Sequence, residues 1–196
     1  MFEGCFIGFG WGVFDVAVPA FATQEGVQHR VAWIFASFGI ATVIGGLLGG
    51  LVSKKLPPLL ALRRAYALWL IACIPVAFTY PDWTMALVGA SIGFFGGAVQ
   101  VFYFEVLEAV RPKGSQTASL GWIWSVEGSF MAVGAAVGGV VSETFSPRVG
   151  LAMLPLMICI GLIILSIGRG RLGAANDIPT DEEDLQAMKD ISNEVK

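Results

Sequence analysis

The sequence predicts an all-α integral membrane protein of six transmembrane helices arranged as a 3+3 inverted repeat, ending in a short acidic tail. Three observations lead there. The 196 residues are 56% hydrophobic and 14% charged, with a mean hydropathy of +0.74, whereas soluble domains hold about 45–50% apolar and about 25% charged residues. A soluble fold of this length has too few polar groups to cover that much apolar surface. Six apolar stretches of about the 20 residues needed to cross hydrocarbon alternate with polar or proline-bearing breaks. Their glycines number four, five, none, four, five and three, so the pattern recurs after three helices. Because three is odd, the second triplet must cross the membrane in the opposite sense to the first, which makes the repeat inverted.

In order, the expected spans are Phe2 to Ala22, Val31 to Val52, Leu59 to Thr79, Trp83 to Leu107, Thr117 to Ser142 and Val149 to Gly168. Span one opens with Glu3 and no Lys or Arg, unlike the basic start of a signal peptide, and reads as a beginning in the middle of something longer. On its face lie Gly4, Gly8, Gly12 and Asp15; on span two, Gly39, Gly46 and Gly50 share a face. Span three has no glycine, and Arg63 and Arg64 imply that it starts later than its apolar run. Gly89, Gly93, Gly96 and Gln100 form the stripe of span four, and Glu127, Met131, Gly134 and Gly138 that of span five. Small residues at helical spacing let membrane helices approach closely. The spanning domain is therefore 1–170. From 171 to 196 the composition turns acidic, with seven acids between Asp177 and Glu194, and this tail is expected to be solvated and disordered.

Lys and Arg are retained on the cytoplasmic side. Lys54, Lys55, Arg63, Arg64, Arg111, Lys113, Arg169 and Arg171 fall on one side and only Arg30 and Arg148 on the other. Both termini are therefore expected in the cytoplasm of a multi-pass cell-membrane protein.

An acid at bilayer depth costs about 2.5 to 3.5 kcal/mol on insertion scales, so one that persists keeps a partner, a proton or a water-filled cavity. Glu127, deepest in its span, and Asp15 are the proton-coupling or cation-binding candidates; the competing reading makes them structural acids bonded to a neighbouring helix. Trp11, Gln100, Tyr103, Trp122 and Trp124 are candidates for the wall of an amphipathic cavity, against which apolar or cationic solutes could stack. Trp33, Trp69 and Trp83 lie near span ends and are expected as interfacial anchors. Glu105, Glu108 and Arg111, with Lys54, Lys55 and Arg64, cluster on the basic side as a candidate cytoplasmic gate.

Other chemistries find no support. Gly89-Ala-Ser91-Ile-Gly93 matches G-x-S-x-G but lies inside a span, and the one histidine, His29, is in a loop two spans away. Cys5, Cys73 and Cys159 are scattered in apolar surroundings, without metal or redox spacing. No cofactor or metal is expected, and a net charge of −3 argues against nucleic acid as a partner.

Three segments resemble one family. Phe9 to Ala22 (FGWGVFDVAVPAFA) is similar to helix seven of bacterial efflux permeases of the major facilitator superfamily, in which an acid precedes a V-A-x-P-x-F-A run. Gly45 to Lys55 (GGLLGGLVSKK) resembles the start of the G-x-L-x-D-R loop between helices eight and nine, with Ser53 where the aspartate stands. Arg111 to Gly139 resembles the helix ten to eleven junction through Pro112, Gly114, Thr117, Trp122, Gly134, Gly138 and Gly139, with Ala118 where an acid often follows the threonine. The resemblance implies the C-terminal six-helix half of an ion-coupled, proton-driven efflux transporter for a small molecule. Spans one, two, four and five would line a central cavity and span three would be peripheral. It implies too a second six-helix half or a homodimer as partner, with the chain either a truncated product or a half that captures another chain. The alternative is a six-helix interaction or scaffold protein.

Overall fold

The computed structural model describes residues 2–53, 57–110 and 115–168, and the single positions 170, 186 and 189. Six long apolar helices account for nearly all of them, and no strand occurs among the described residues. They are α1 (Phe2–Gln24), α2 (Val31–Ser53), α3 (Pro58–Cys73), α4 (Trp83–Val110), α5 (Gln116–Thr144) and α6 (Pro147–Ile167). Short connections reverse the chain each time, so α1, α3 and α5 start at one end, termed proximal, and α2, α4 and α6 start at the distal end. Lys54, Lys55 and Arg111, and all of the expected tail except Gln186 and Lys189, lie outside the described residues.

Local chemistry sets the boundaries. α1 ends where Gly26 takes φ +70°, a left-handed conformation that a side chain disfavours. There the Val27 and Gly26 amides donate to the carbonyls of Ala22 and Thr23, at 2.8 and 3.1 Å, which closes the helix end. Pro58 and Pro147 occupy first-turn positions of α3 and α6, where a missing N–H costs nothing. Ser146 Oγ accepts from the Arg148 amide at 3.2 Å, and Asp82 Oδ1 accepts from the Thr84 amide at 2.7 Å at the start of α4. The third span is shorter in α-helix than its apolar run implied. Pro75 cannot continue the ladder, and the chain passes into a 3₁₀ turn, Ile74–Phe78. Nor does α3 wait for its arginines: it starts at Pro58, and Arg63 and Arg64 lie within it.

Packing is dominated by two helix pairs, α1 with α5 and α2 with α4, followed by α1 with α6 and α3 with α4. Glycine explains the first two. On α1, a Cβ at Gly8 or Gly12 would strike the backbone of Glu127 or Met131; on α5, one at Gly134 or Gly138 would strike that of Phe9 or Val13. The second pair interlocks in the same way, with Gly93 and Gly97 of α4 against Phe38 and Thr42, and Gly45 and Gly49 of α2 against Phe94 and Ala98. Backbones this close gain dispersion contacts, the main attraction left where lipid is as apolar as the helices. Ser37 Oγ also donates to the Ala86 carbonyl at 3.1 Å across α2 and α4. The α2 face that packs is therefore Gly45 and Gly49, and of the expected stripe only Gly46 joins it, against Gly97; a Cβ at Gly39 or Gly50 would meet nothing within 4 Å.

At the distal end polar contacts tie the ends of α1 and α6 to the 3₁₀ turn and loop that follow α3. The Arg148 guanidinium lies 4.8 Å from the Phe21 ring centre and donates to the Ala77 carbonyl at 3.3 Å. Tyr80 stands edge-on to Phe21 and its hydroxyl donates to Glu25 at 2.8 Å. This bond stabilises the neutral phenol and, with the neighbouring Glu25 charge, holds the Tyr80 hydroxyl above the usual tyrosine range.

Candidate functional site

Between the two tight pairs the helices part. α1 and α2 make little backbone contact, and the gap is a cavity of about 320 Å³. It runs from the proximal half into the middle of the bundle: α1 lines it from Glu3 to Asp15, α4 from Gly96 to Phe104 and α5 from Ile123 to Met131, while α2 reaches it at Phe38 and Thr42 and α3 at Tyr66 and Trp69. An aromatic cluster crosses it between Glu3 and Asp15. Trp11 contacts Phe14, Phe38 and Trp69 at centroid distances of 5.8, 5.4 and 5.7 Å, joining α1, α2 and α3.

The helix period explains the acidic and aromatic wall of α1. Glu3, Ile7, Trp11 and Asp15 recur every four residues and all line the cavity, while Gly8 and Gly12 turn toward α5. Pro19 lacks the N–H that would bond the carbonyl four residues earlier. The Asp15 backbone oxygen is thus left without its helical donor beside its own carboxylate. Glu127 lies against Gly8, with Cγ 3.1 Å from the position a Cβ would take there.

The structure brings Asp15, Glu127, Trp11, Gln100, Tyr103 and Trp124 together around one cavity. Trp122 is not with them. It is 65% exposed on α5, and residues two apart on a helix face nearly opposite ways; Trp124, itself 53% exposed, is the one that borders the cavity. Trp69 was expected as an interfacial anchor, and the structure corrects this. It is 2% exposed, lines the cavity and leaves its indole N–H without an acceptor. With Tyr66 it makes α3 part of the wall; α3 is not merely peripheral. Trp33 and Trp83 do sit exposed at distal helix ends. Of the gate candidates, Arg64 is exposed, Glu105 keeps a buried Oε2 without a hydrogen-bond partner, and the two are not bonded to each other. Lys54, Lys55 and Arg111 lie outside the described residues, and Glu108 is at the proximal end of α4.

Glu3 was missed as a site residue. At 6% exposure it is the most enclosed of the cavity acids, its stem packed by Gly161 of α6. The four-residue spacing to Ile7, Trp11 and Asp15 was the available signal. Among the described residues none of the three carboxylates accepts a hydrogen bond, and no three His, Cys, Asp or Glu side chains gather as a metal site.

Six membrane-length helices packed through glycine around an acidic, aromatic cavity have the form of a solute pathway. The profile of the Major Facilitator Superfamily matches residues 1–193. The chain belongs to the major facilitator superfamily. Major facilitator proteins are transporters, so this is a multi-pass, membrane-embedded transport domain and not an enzyme. Neither the curated proteins nor the solved structures gave a match.

Proposed function

We propose that this major facilitator domain is the C-terminal six-helix half of a proton-coupled efflux transporter, with the cavity as its share of the solute site and Glu127 and Asp15 as the exchangeable carboxylates. The observation that carries the reading is that three acids face one cavity without a hydrogen-bond partner among the described residues. A purely structural acid at the depth of Asp15 or Glu127 would be bonded to a neighbouring helix; these are left for water, a proton or a solute. The scaffold reading loses its support at the same point.

The inverted repeat is supported by a correspondence in packing. One constant step along the sequence takes Gly8, Phe9, Gly12 and Val13 of α1 to Gly93, Phe94, Gly97 and Ala98 of α4. Another takes Glu127, Met131, Gly134 and Gly138 of α5 to Phe38, Thr42, Gly45 and Gly49 of α2. Each close approach of the first pair has its counterpart in the second. The same relation sets Asp15 against Gln100, both on the cavity wall, and Pro58 against Pro147, each at the start of its helix.

A second six-helix unit would complete the cavity, packing on the outer faces of α2 and α5. These two spans are the least covered by the rest of the chain and carry Leu47, Leu51, Phe130 and Val140 in the open. With the termini in the cytoplasm, the Glu3 end of the cavity lies on the cytoplasmic side. Efflux as the direction follows from the resemblance alone.

Cysteine reactivity tests the site. In a chain lacking Cys5, Cys73 and Cys159, a water-soluble thiol reagent should modify Gln100→Cys in membranes and spare Leu68→Cys, which is exposed to lipid on α3. Equal inertness of the two positions would mean that the cavity is dry and the acids structural.

A further inference from the structure

The chemistry of the cavity wall narrows the solute. Glu3, Asp15 and Glu127 supply three carboxylates, and no Lys, Arg or His lines the cavity among the described residues. A wall of one sign in a low-dielectric setting attracts the opposite charge strongly and rejects anions. Glu3 adds a directional requirement: it is more than nine-tenths buried and lines the cavity with no hydrogen-bond partner among the described residues. Seven aromatic side chains share the rest of the wall with aliphatic residues and with Thr42 and Gln100. Trp11 and Trp69 stand 5.7 Å apart and tilted by 37°, and Tyr103 and Trp124 lie on the α4 and α5 sides. Ring faces attract organic cations, most strongly where water is excluded.

A bare metal ion does not fit this wall, because it needs several oxygens converging at about 2.0 to 2.6 Å and no such group of three acids, histidines or cysteines forms among the described residues. An organic cation does, since it needs charge at one end and rings at the other. The Glu127 side chain lies against Gly8, and Trp11 is three residues further along α1, about 4.5 Å by helical rise.

We infer that the cavity takes an organic monocation with an aromatic body, its charged group held between Glu3 and Glu127 and its ring against Trp11 and Trp69. This rests on the cavity being a solute site, and it assigns the charge and shape of the solute.

The test uses the whole chain in lipid nanodiscs and three probes of nearly equal shape: benzyltrimethylammonium, its neutral isostere neopentylbenzene, and the anion phenylmethanesulfonate. Binding is read from tryptophan fluorescence, since Trp11, Trp69 and Trp124 line the cavity. The cation should bind saturably and at least about tenfold tighter than the other two, a modest share of the attraction between unit charges near 4 Å. Glu3→Gln and Glu127→Gln should each weaken the cation about tenfold or more, with the unfolding midpoint of each variant checking its fold. The comparison among probes needs no variant. If the neutral isostere binds as tightly as the cation, or both glutamine variants keep full affinity, the proposed solute class is wrong while the cavity remains a solute site. If none of the three probes binds saturably, the solute-site reading fails as well.

Discussion

Gly12 marks the point where α1 and α5 come closest, and replacing it with alanine asks how much of the fold depends on that approach. A Cβ there would meet the Met131 carbonyl and lie 2.7 Å from the Ala135 amide nitrogen. Both are backbone atoms of a helix, so no side-chain rotation relieves the contact and the helices must separate. Overpacking of this kind costs about 1 to 3 kcal/mol, and replacing a helical glycine with alanine returns about 0.5 to 1 kcal/mol. The net expectation is a loss of about 0 to 2.5 kcal/mol. Gly39→Ala is the control, because a Cβ there meets nothing within 4 Å; only the propensity gain of about 0.5 to 1 kcal/mol remains. The two variants should therefore differ by about 2 kcal/mol in opposite directions. Gly97→Ala, which would meet the Thr42 carbonyl across α2 and α4, should behave like Gly12→Ala. Reversible unfolding in mixed micelles, with each variant titrated by a denaturing detergent, gives the comparison. If Gly12→Ala and Gly39→Ala unfold within about 0.5 kcal/mol of each other, the range of ordinary surface substitutions, the glycine faces do not set the packing.

Three further outcomes are expected. In a background without native cysteines, an impermeant maleimide added to intact cells should label Gln28→Cys and leave Ser192→Cys untouched, and the reverse pattern would overturn cytoplasmic termini. The Glu25 bond should make Tyr80 ionise later than an ordinary tyrosine, so its contribution to stability is complete below the unfolded tyrosine pKa and disappears as pH rises through the folded one. Ultraviolet titration of Glu25→Gln should bring one tyrosine back toward the ordinary range, and an unchanged curve would count against the contact. Crosslinkers placed on α2 and α5 should capture a second six-helix unit more readily than those on α3; capture concentrated on α3, or a strictly monomeric particle in mild detergent, would contradict the proposed face.

Much of the molecule is written in its sequence, for physical reasons that vary by element. Spans are legible because hydrocarbon demands a fixed length of apolar helix, and all six appear at the expected places. Asp15, Gln100 and Glu127 stand out because polar groups are rare within the spans, and all three border the cavity, although Asp15 lies on the face of Glu3, Ile7 and Trp11 and not on that of Gly8 and Gly12. Glu3 escaped notice because it lies at the end of its span, where an acid is cheap; in the fold its stem packs beside Gly161 of α6, which is remote in sequence. Trp69 is the middle residue of the expected span Leu59 to Thr79, so that span already argued against an interfacial place for it, although the α-helix itself ends four residues later at Cys73. The α2 stripe was misjudged because its five glycines offer several faces with helical spacing, and the choice between them depends on where Phe94 and Ala98 sit on α4. Trp122 illustrates the opposite case: its two-residue spacing from Trp124 already implied that one of them faces out.

Proton exchange at Glu127 is the claim on which the transport account stands. Proteoliposomes holding the complete assembly, with a pH gradient imposed and solute flux followed, address it directly. Glu127→Gln keeps the size and hydrogen-bonding capacity of the side chain and removes its exchangeable proton. The account predicts that this variant inserts and unfolds like the parent but loses gradient-driven flux. Flux equal to the parent in Glu127→Gln, together with its loss in Asp15→Asn, would contradict the assignment, return Glu127 to a structural role and pass the coupling step to Asp15.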